Sequence, residues 1–178
     1  MVLRLAAEHI RQVLELAKTC KLSEWSYADY FEEINKTENF GFVNIENNET
    51  GLLSAGEING FIISRLIKLE TLHIYNNGAG HQIKDKKSIY PNECEILNIG
   101  VLPATQGKGI GQKLLDATLA ECALHNVAAV WLDVRMNNVN ALGFYRRNNF
   151  EVVYTRKNYY QNPVEDAYVM KADLIKPH

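Results

Sequence analysis

Apolar residues Ile10, Val13, Leu14 and Ala17 recur at three- and four-residue spacings, which predicts an amphipathic helix over residues 5–20. Ser26 followed by Asp29 has the form of a capping box and starts a second, short helix with Tyr30, Phe31 and Ile34 facing inward. Residues 40–45 and 58–66 are rich in β-branched and aromatic side chains. They read as an antiparallel strand pair around a loop marked by Asn47, Asn48, Gly51 and Gly56. Residues 71–91 carry Asn76, Asn77, Gly78 and Gly80 ahead of Lys84, Lys86 and Lys87 with little apolar periodicity, and read as an exposed loop insertion. From Glu93 the order is strand to Val101, a break at Pro103, a glycine-rich turn, and a helix over 109–125. Residues 127–135 then form a buried strand, which that helix can connect in parallel to the one before it. A helix over 138–148 and two closing strands, 150–155 and 167–172, complete an α/β pattern with a mixed sheet.

At 178 residues the chain fits a single domain over 1–178, with the insertion at 71–91. A formal net charge of −2 gives no bulk attraction to nucleic acid or to an anionic membrane, so an anionic ligand needs a local site. The apolar run 127–132 is far too short to span a bilayer. Cys20, Cys94 and Cys122 are odd in number without C-x-x-C spacing, and His73, His81 and His125 show no metal-like pairing. The expectation is a cytoplasmic protein with no metal, no membrane contact and no nucleic-acid partner; nothing here bears on oligomeric state.

The local site is Gln106-Gly107-Lys108-Gly109-Ile110-Gly111, between a strand and a helix, where free backbone N–H groups and the positive end of the helix dipole suit a phosphate. A P-loop requires Ser or Thr after the lysine, and Lys108 precedes Gly109; a dinucleotide fingerprint requires G-x-G-x-x-G, and these glycines alternate strictly. The Q-x-x-G-x-G pattern after a strand resembles the pyrophosphate loop of the GNAT acetyltransferases. With Asn98-Ile99-Gly100-Val101, Trp131-Leu132-Asp133-Val134-Arg135, Tyr145 and Arg156-Lys157-Asn158-Tyr159-Tyr160, the likeness is to the RimI-type ribosomal-protein-alanine N-acetyltransferases. It covers well under half the chain strongly, and the amino-terminal half only in outline.

That resemblance implies a GNAT fold with a mixed, mostly antiparallel sheet of about six or seven strands and helices on both faces. It implies acetyl-CoA as cosubstrate and a protein N-terminus, from a ribosomal protein beginning with alanine, as acceptor. Backbone groups of Ile99, Gly100 and Val101 would pair with the pantetheine arm. Gln106, Gly107, Lys108, Gly109, Ile110, Gly111 and Gln112 would surround the pyrophosphate, and Asn138 would contact the cofactor near the thioester. Asp133 stands where the family usually has a glutamate base, Tyr145 where it has the tyrosine acid, and Tyr159 and Tyr160 on the substrate side.

The chemistry fits these residue types. Acetyl transfer from a thioester needs a neutral amine, a polarised carbonyl and a proton for the departing thiolate. An α-amine, with a pKa of about 7.7–8.0, needs only modest help from a base. Asp133, one methylene shorter than glutamate, would act through water; alternatively it ends strand pairing or binds Arg135. Glu93 and Glu95 are rivals, because residues 93, 95, 97, 99 and 101 share one strand face. Tyr145 lies about two helical turns beyond Asn138 on the same face, either as acid or as a core residue. Tyr159 and Tyr160 either wall a peptide groove or simply pack. Asn149 stands where the family has glycine and suits a left-handed helix end, and Gly143 would mark close packing. Two other functions stay open: acetylation of a lysine or a small-molecule amine, and acyl-CoA binding without turnover.

Overall fold

The computed structural model describes residues 1–22, 25–46, 56–68, 73–76, 82–85 and 91–174. In chain order the elements are β1 (Val2–Arg4), α1 (Ile10–Thr19), α2 (Tyr27–Asn35), β2 (Asn39–Glu46), β3 (Glu57–Ile67), β4 (His73–Asn76), β5 (Gln82–Asp85) and β6 (Asn92–Val101). They continue with α3 (Ile110–Leu124), β7 (Val127–Arg135), α4 (Val139–Arg147), β8 (Glu151–Gln161) and β9 (Val164–Asp173). They fall into two compact units, Met1–Arg65 with Glu95–Leu124, and Leu66–Cys94 with His125–His178.

In the first unit the strands lie in the order β1-β2-β3-β6. β2 and β3 are antiparallel with Phe40 opposite Ser64 and Val43 opposite Phe61. β1, which has too few residues to show a period, pairs antiparallel with β2. The core joins Ile10, Val13, Leu16 and Ala17 of α1 to Tyr30, Val43, Ile58, Phe61 and Ile63, with Leu14 packed at its margin. A 3₁₀ turn at Ala7–His9 precedes α1, so the regular helix starts later than its apolar pattern suggests. Ser26 caps α2: its hydroxyl accepts from the Asp29 N–H at 3.2 Å, and the Asp29 carboxylate accepts from the Ser26 N–H at 2.6 Å. Such a cap is worth about 1 kcal/mol.

Tyr30 is fully buried, edge-on to Phe61 at 6.0 Å, and its hydroxyl accepts from Asn98 Nδ2 at 3.2 Å. Phe31 does not face inward. It is 47% exposed and stacks on Tyr27, because the next helical residue points about 100° away from Tyr30. β6 alternates as its sequence requires, with Ile96, Asn98 and Gly100 buried and Glu95, Leu97, Ile99 and Val101 on the half-exposed face. Gly100 is a packing glycine: a Cβ there would lie 2.9 Å from Leu16 and from Leu22.

In the second unit the order is β7-β9-β8, antiparallel throughout. With the four strands of the first unit this makes seven. Val130, Leu132 and Val134 of β7 are buried with Leu142, Phe150, Val169 and Met170. α4 ends as its sequence requires: Asn149 takes φ +63°, its N–H donates to the Arg146 carbonyl at 3.2 Å, and the Phe150 N–H donates to the Tyr145 carbonyl at 3.0 Å. This is a Schellman closure, with the Phe150 ring against Tyr145 at 5.5 Å as its apolar contact. Gly143 does not mark close packing against the sheet, since a Cβ there would meet no protein atom nearer than the Arg147 guanidinium at 3.4 Å.

The insertion is not all loop. β4 and β5 pair antiparallel in a separate two-stranded sheet, His73 opposite Asp85 and Asn76 opposite Gln82. Four residues per strand are too few for a two-residue alternation to be legible. Asn47, Asn48, Gly51, Asn77, Gly78, Gly80, His81, Lys86 and Lys87 lie outside the described residues.

Candidate active site

In the first unit the site is a loop built almost entirely of main chain. β6 ends at Val101, whose carbonyl accepts from Gln106 Nε2 at 3.0 Å and from Cys20 Sγ at 3.3 Å. The next N–H, of Leu102, donates to the Asn59 carbonyl at 2.9 Å, and a 3₁₀ turn at Pro103–Thr105 reverses the chain. The Gln106 side chain therefore braces the start of the loop. Gly107 and Gly109 both adopt φ +77°, and a Cβ at either would meet no protein atom within 4 Å. These glycines are demanded by backbone conformation, and the space they leave admits a ligand against the peptide units.

The loop opens into the 15-residue α3, whose first turn is fixed when the Lys113 N–H donates to the Gly109 carbonyl at 3.1 Å. Ile110 anchors that end in the core, over Gly60, where a Cβ would come within 2.7 Å of it. Lys108 is exposed at the mouth of the loop, and Gln112 donates to Asp116 at 2.8 Å. The first N–H groups of such a helix have no acceptor inside it, and with the dipole they make an anion site. Glu95, on the open face of β6, is held by Arg65 at 2.6 Å, and that hydrogen bond is the leading cause of the raised Arg65 pKa.

In the second unit the site is made of side chains. Trp131, Asp133 and Arg135 of β7 lie opposite Lys171, Val169 and Ala167 of β9, which in turn lie opposite Glu151, Tyr154 and Arg156 of β8. Arg156 is level with Arg135, two residues along from Asp133, and its Nε approaches Asp133 Oδ1 at 3.3 Å as an ion pair. Arg135 is not the partner of Asp133. Its guanidinium binds Glu165 at 3.0 Å, donates to the carbonyls of Asn162 and Pro163, and stacks on the Tyr160 ring at 4.1 Å. Glu165 also accepts from the Asn137 N–H at 2.7 Å. Nor does Asp133 end strand pairing, since β7 continues to Arg135.

Tyr145 is 5% exposed; burial first, and then the neighbouring Tyr160 phenol, push its pKa up. Tyr160 is pushed up to about 12, by burial first and by Asp133 next. Both phenols therefore stay protonated through the neutral range. Tyr159 is exposed and stands edge-on to Tyr160 at 5.1 Å. Asn138 is exposed at the start of α4, which it caps by accepting from the Ala141 N–H at 3.1 Å. Thus Asp133, Tyr145 and Tyr160 are brought together in this unit, while Glu95 is committed to Arg65 in the other. The partners of the carboxylates, Arg65 and Arg156, were not singled out from the sequence; only the strand registers reveal them. Among the described residues no group of His, Cys, Asp or Glu is arranged to hold a metal, and no helix is long and apolar enough to cross a membrane.

One unit thus holds a strand, a loop with two left-handed glycines and a helix, and the other a carboxylate with one buried and one half-buried phenol. The acetyltransferase (GNAT) family model matches residues 10–150, and the chain belongs to that family. Within it, the chain is similar to N-alpha-acetyltransferase RimI of Mycobacterium tuberculosis, 45% identical over 87 residues, 49% of this chain and 53% of the relative. It is also similar to the ribosomal protein bS18-alanine N-acetyltransferase of Escherichia coli, 36% identical over 81 residues, 44% of this chain and 55% of the relative. The chain thus spans about half the length of the curated relatives it matches. The crystal structure of the ribosomal-protein-S18-alanine N-acetyltransferase from Escherichia coli superposes with a TM-score of 0.71 over 100% of this chain and 96% of that one. At 20% identity that likeness shows the fold alone.

Proposed function

We propose that this protein transfers the acetyl group of acetyl-CoA to the α-amine of a protein N-terminus, and that its target is a ribosomal protein beginning with alanine. The observation that carries the cofactor half is the pair of left-handed glycines, Gly107 and Gly109, with open space at both. The acceptor half is supported by the names of the relatives at 45% and 36% identity.

In this reading the main chain of Gly107, Lys108, Gly109, Ile110, Gly111 and Gln112 holds the diphosphate, and Ile99, Gly100 and Val101 line the pantetheine arm. The Val101 carbonyl is already taken, so Ile99 and the N–H groups carry that pairing. Asn138, besides capping α4, meets the arm near the thioester. Asp133, through a water, takes a proton from the acceptor ammonium; the neutral amine then attacks the thioester carbonyl and the C–N bond forms. The nitrogen sheds its second proton to solvent water, which in turn restores the phenol of Tyr145 after it has protonated the sulfur, and the C–S bond breaks. A backbone N–H near Gly100 or Val101 stabilises the oxyanion. Tyr145, kept protonated by burial, supplies the thiolate with its proton. Asp133 is preferred to Glu95 because it stands where the resemblance puts the base and the Tyr160 phenol shares its surroundings. Tyr159 and Tyr160 wall the acceptor side. All three cysteines are free, which suits a reducing, cytoplasmic compartment, and the chain acts as one domain over 1–178.

The test is incubation with acetyl-CoA and peptides that differ only in their first residue, read by mass. Acetylation at the α-amine, best on alanine, is the expected result. Modification confined to lysine side chains or small amines would replace the acceptor assignment, and binding of acetyl-CoA without any turnover would reduce the protein to a binding module.

A further inference from the structure

A carboxylate that accepts protons through a water must stay ionised and must keep a fixed direction. Asp133 is short, and its side chain is largely buried at 13% exposure. Charged and phenolic groups come to it from β8, β9, β7 and α4, and β6, beside β7 in the strand order, carries Glu93. β8 supplies Arg156 and Tyr160; β9 supplies Lys171; β7 itself supplies Arg135; and α4 supplies Tyr145 by way of Tyr160. Lys171 is bound to Asp173 at 2.7 Å and lies over the Trp131 ring at 5.2 Å. Arg135 is bound to Glu165 and the turn carbonyls. Arg156 is a cation that pairs with Asp133.

Arg156 does a second thing at once. Its Nη2 donates to the Tyr154 hydroxyl at 3.2 Å, and its guanidinium lies 5.3 Å from the ring centre of Tyr159. Tyr159 is exposed and belongs to the proposed acceptor wall. A single guanidinium thus spans the proposed base and that wall, with geometry that a flexible ammonium cannot fully copy.

We propose that Arg156 is a positioning residue for Asp133: its guanidinium faces the carboxylate as an ion pair at 3.3 Å and links it to the aromatic wall at Tyr159, so that acceptor seating and proton removal are coupled through one side chain. This rests on the acetyl-transfer reading above.

The experiment uses the full chain with Arg156→Gln and Arg156→Lys. The carbon-13 signal of the Asp133 carboxyl is titrated by NMR, and kcat and KM are measured for acetyl-CoA and for an alanine-starting peptide. Arg156→Gln is expected to raise the Asp133 midpoint by about one pH unit. It should lower kcat about tenfold, raise the peptide KM and leave the acetyl-CoA KM unchanged. Arg156→Lys should restore the midpoint and only part of the peptide KM. An unmoved midpoint, or equal losses toward both substrates, would overturn the inference while the wild type still turns over. A wild type that acetylates no peptide would overturn the reading beneath it.

Discussion

The loop after β6 and the face shared by β7, β9 and β8 solve opposite problems with opposite materials. The loop offers main chain: two glycines in left-handed conformation, no side chain in the way, and a helix dipole behind them. The face offers side chains in pairs, Asp133 with Arg156, Arg135 with Glu165 and Lys171 with Asp173, interleaved with Trp131, Tyr154 and Tyr160. A diphosphate has the same shape in every reaction that uses it, so a backbone cradle suffices. A proton must leave one specific atom, so the groups that handle it need fixed side chains. If the proposed function holds, binding and chemistry should fail separately.

The largest expected effect breaks the chemistry and spares the cradle. Tyr145→Phe should lower kcat by about 10²–10⁴-fold with the affinity for acetyl-CoA unchanged, as steady-state kinetics alongside calorimetry will show. The converse change, Gly109→Ala, forces a Cβ into φ +77° at a cost of about 1–2 kcal/mol. Acetyl-CoA binding should weaken about tenfold while the pH dependence of turnover stays the same. Gly100→Ala sharpens the contrast, because its Cβ would collide with Leu16, Leu22 and Phe61. The predicted loss is about 1–3 kcal/mol of stability by denaturant melt.

Acidification separates the two regions more gently. The Asp166 pKa is lowered, first by its hydrogen bond to Lys157 and then by that to the Asn158 N–H. A group whose folded pKa lies below its unfolded value stabilises above the latter, about 3.9, and loses that contribution as pH falls through the folded value. The Asn158 amide in β8 should therefore lose its protection from hydrogen exchange only as pH falls through the lowered folded value of Asp166, before the loop amides change, and Asp166→Asn should remove the dependence. The smallest effect is a gain: Gly143→Ala, facing open space apart from Arg147, should stabilise by about 1 kcal/mol.

The same contrast decides what could be read from the chain. The loop was legible because its glycines answer to backbone rules that act over six residues, and the end of α4 at Asn149 for the same reason. The alternation along β6 and the cap at Ser26 are equally local. Arg156 facing Asp133, Arg65 facing Glu95 and Arg135 facing Glu165 depend on which strand lies beside which and in what register. The bulges near Val152 and Arg156 shift that register in ways no periodicity reports. Phe31 stacks on Tyr27 outside the core because it is one helical step of about 100° from Tyr30, and the space beside Gly143 is set by tertiary packing that its own sequence does not report.

Calorimetric titration of the full chain with acetyl-CoA, repeated on Gly109→Ala, tests the cradle most directly. Saturable one-to-one binding that weakens about tenfold in the variant is the predicted result. No binding to the wild type, or equal binding to both, would contradict it.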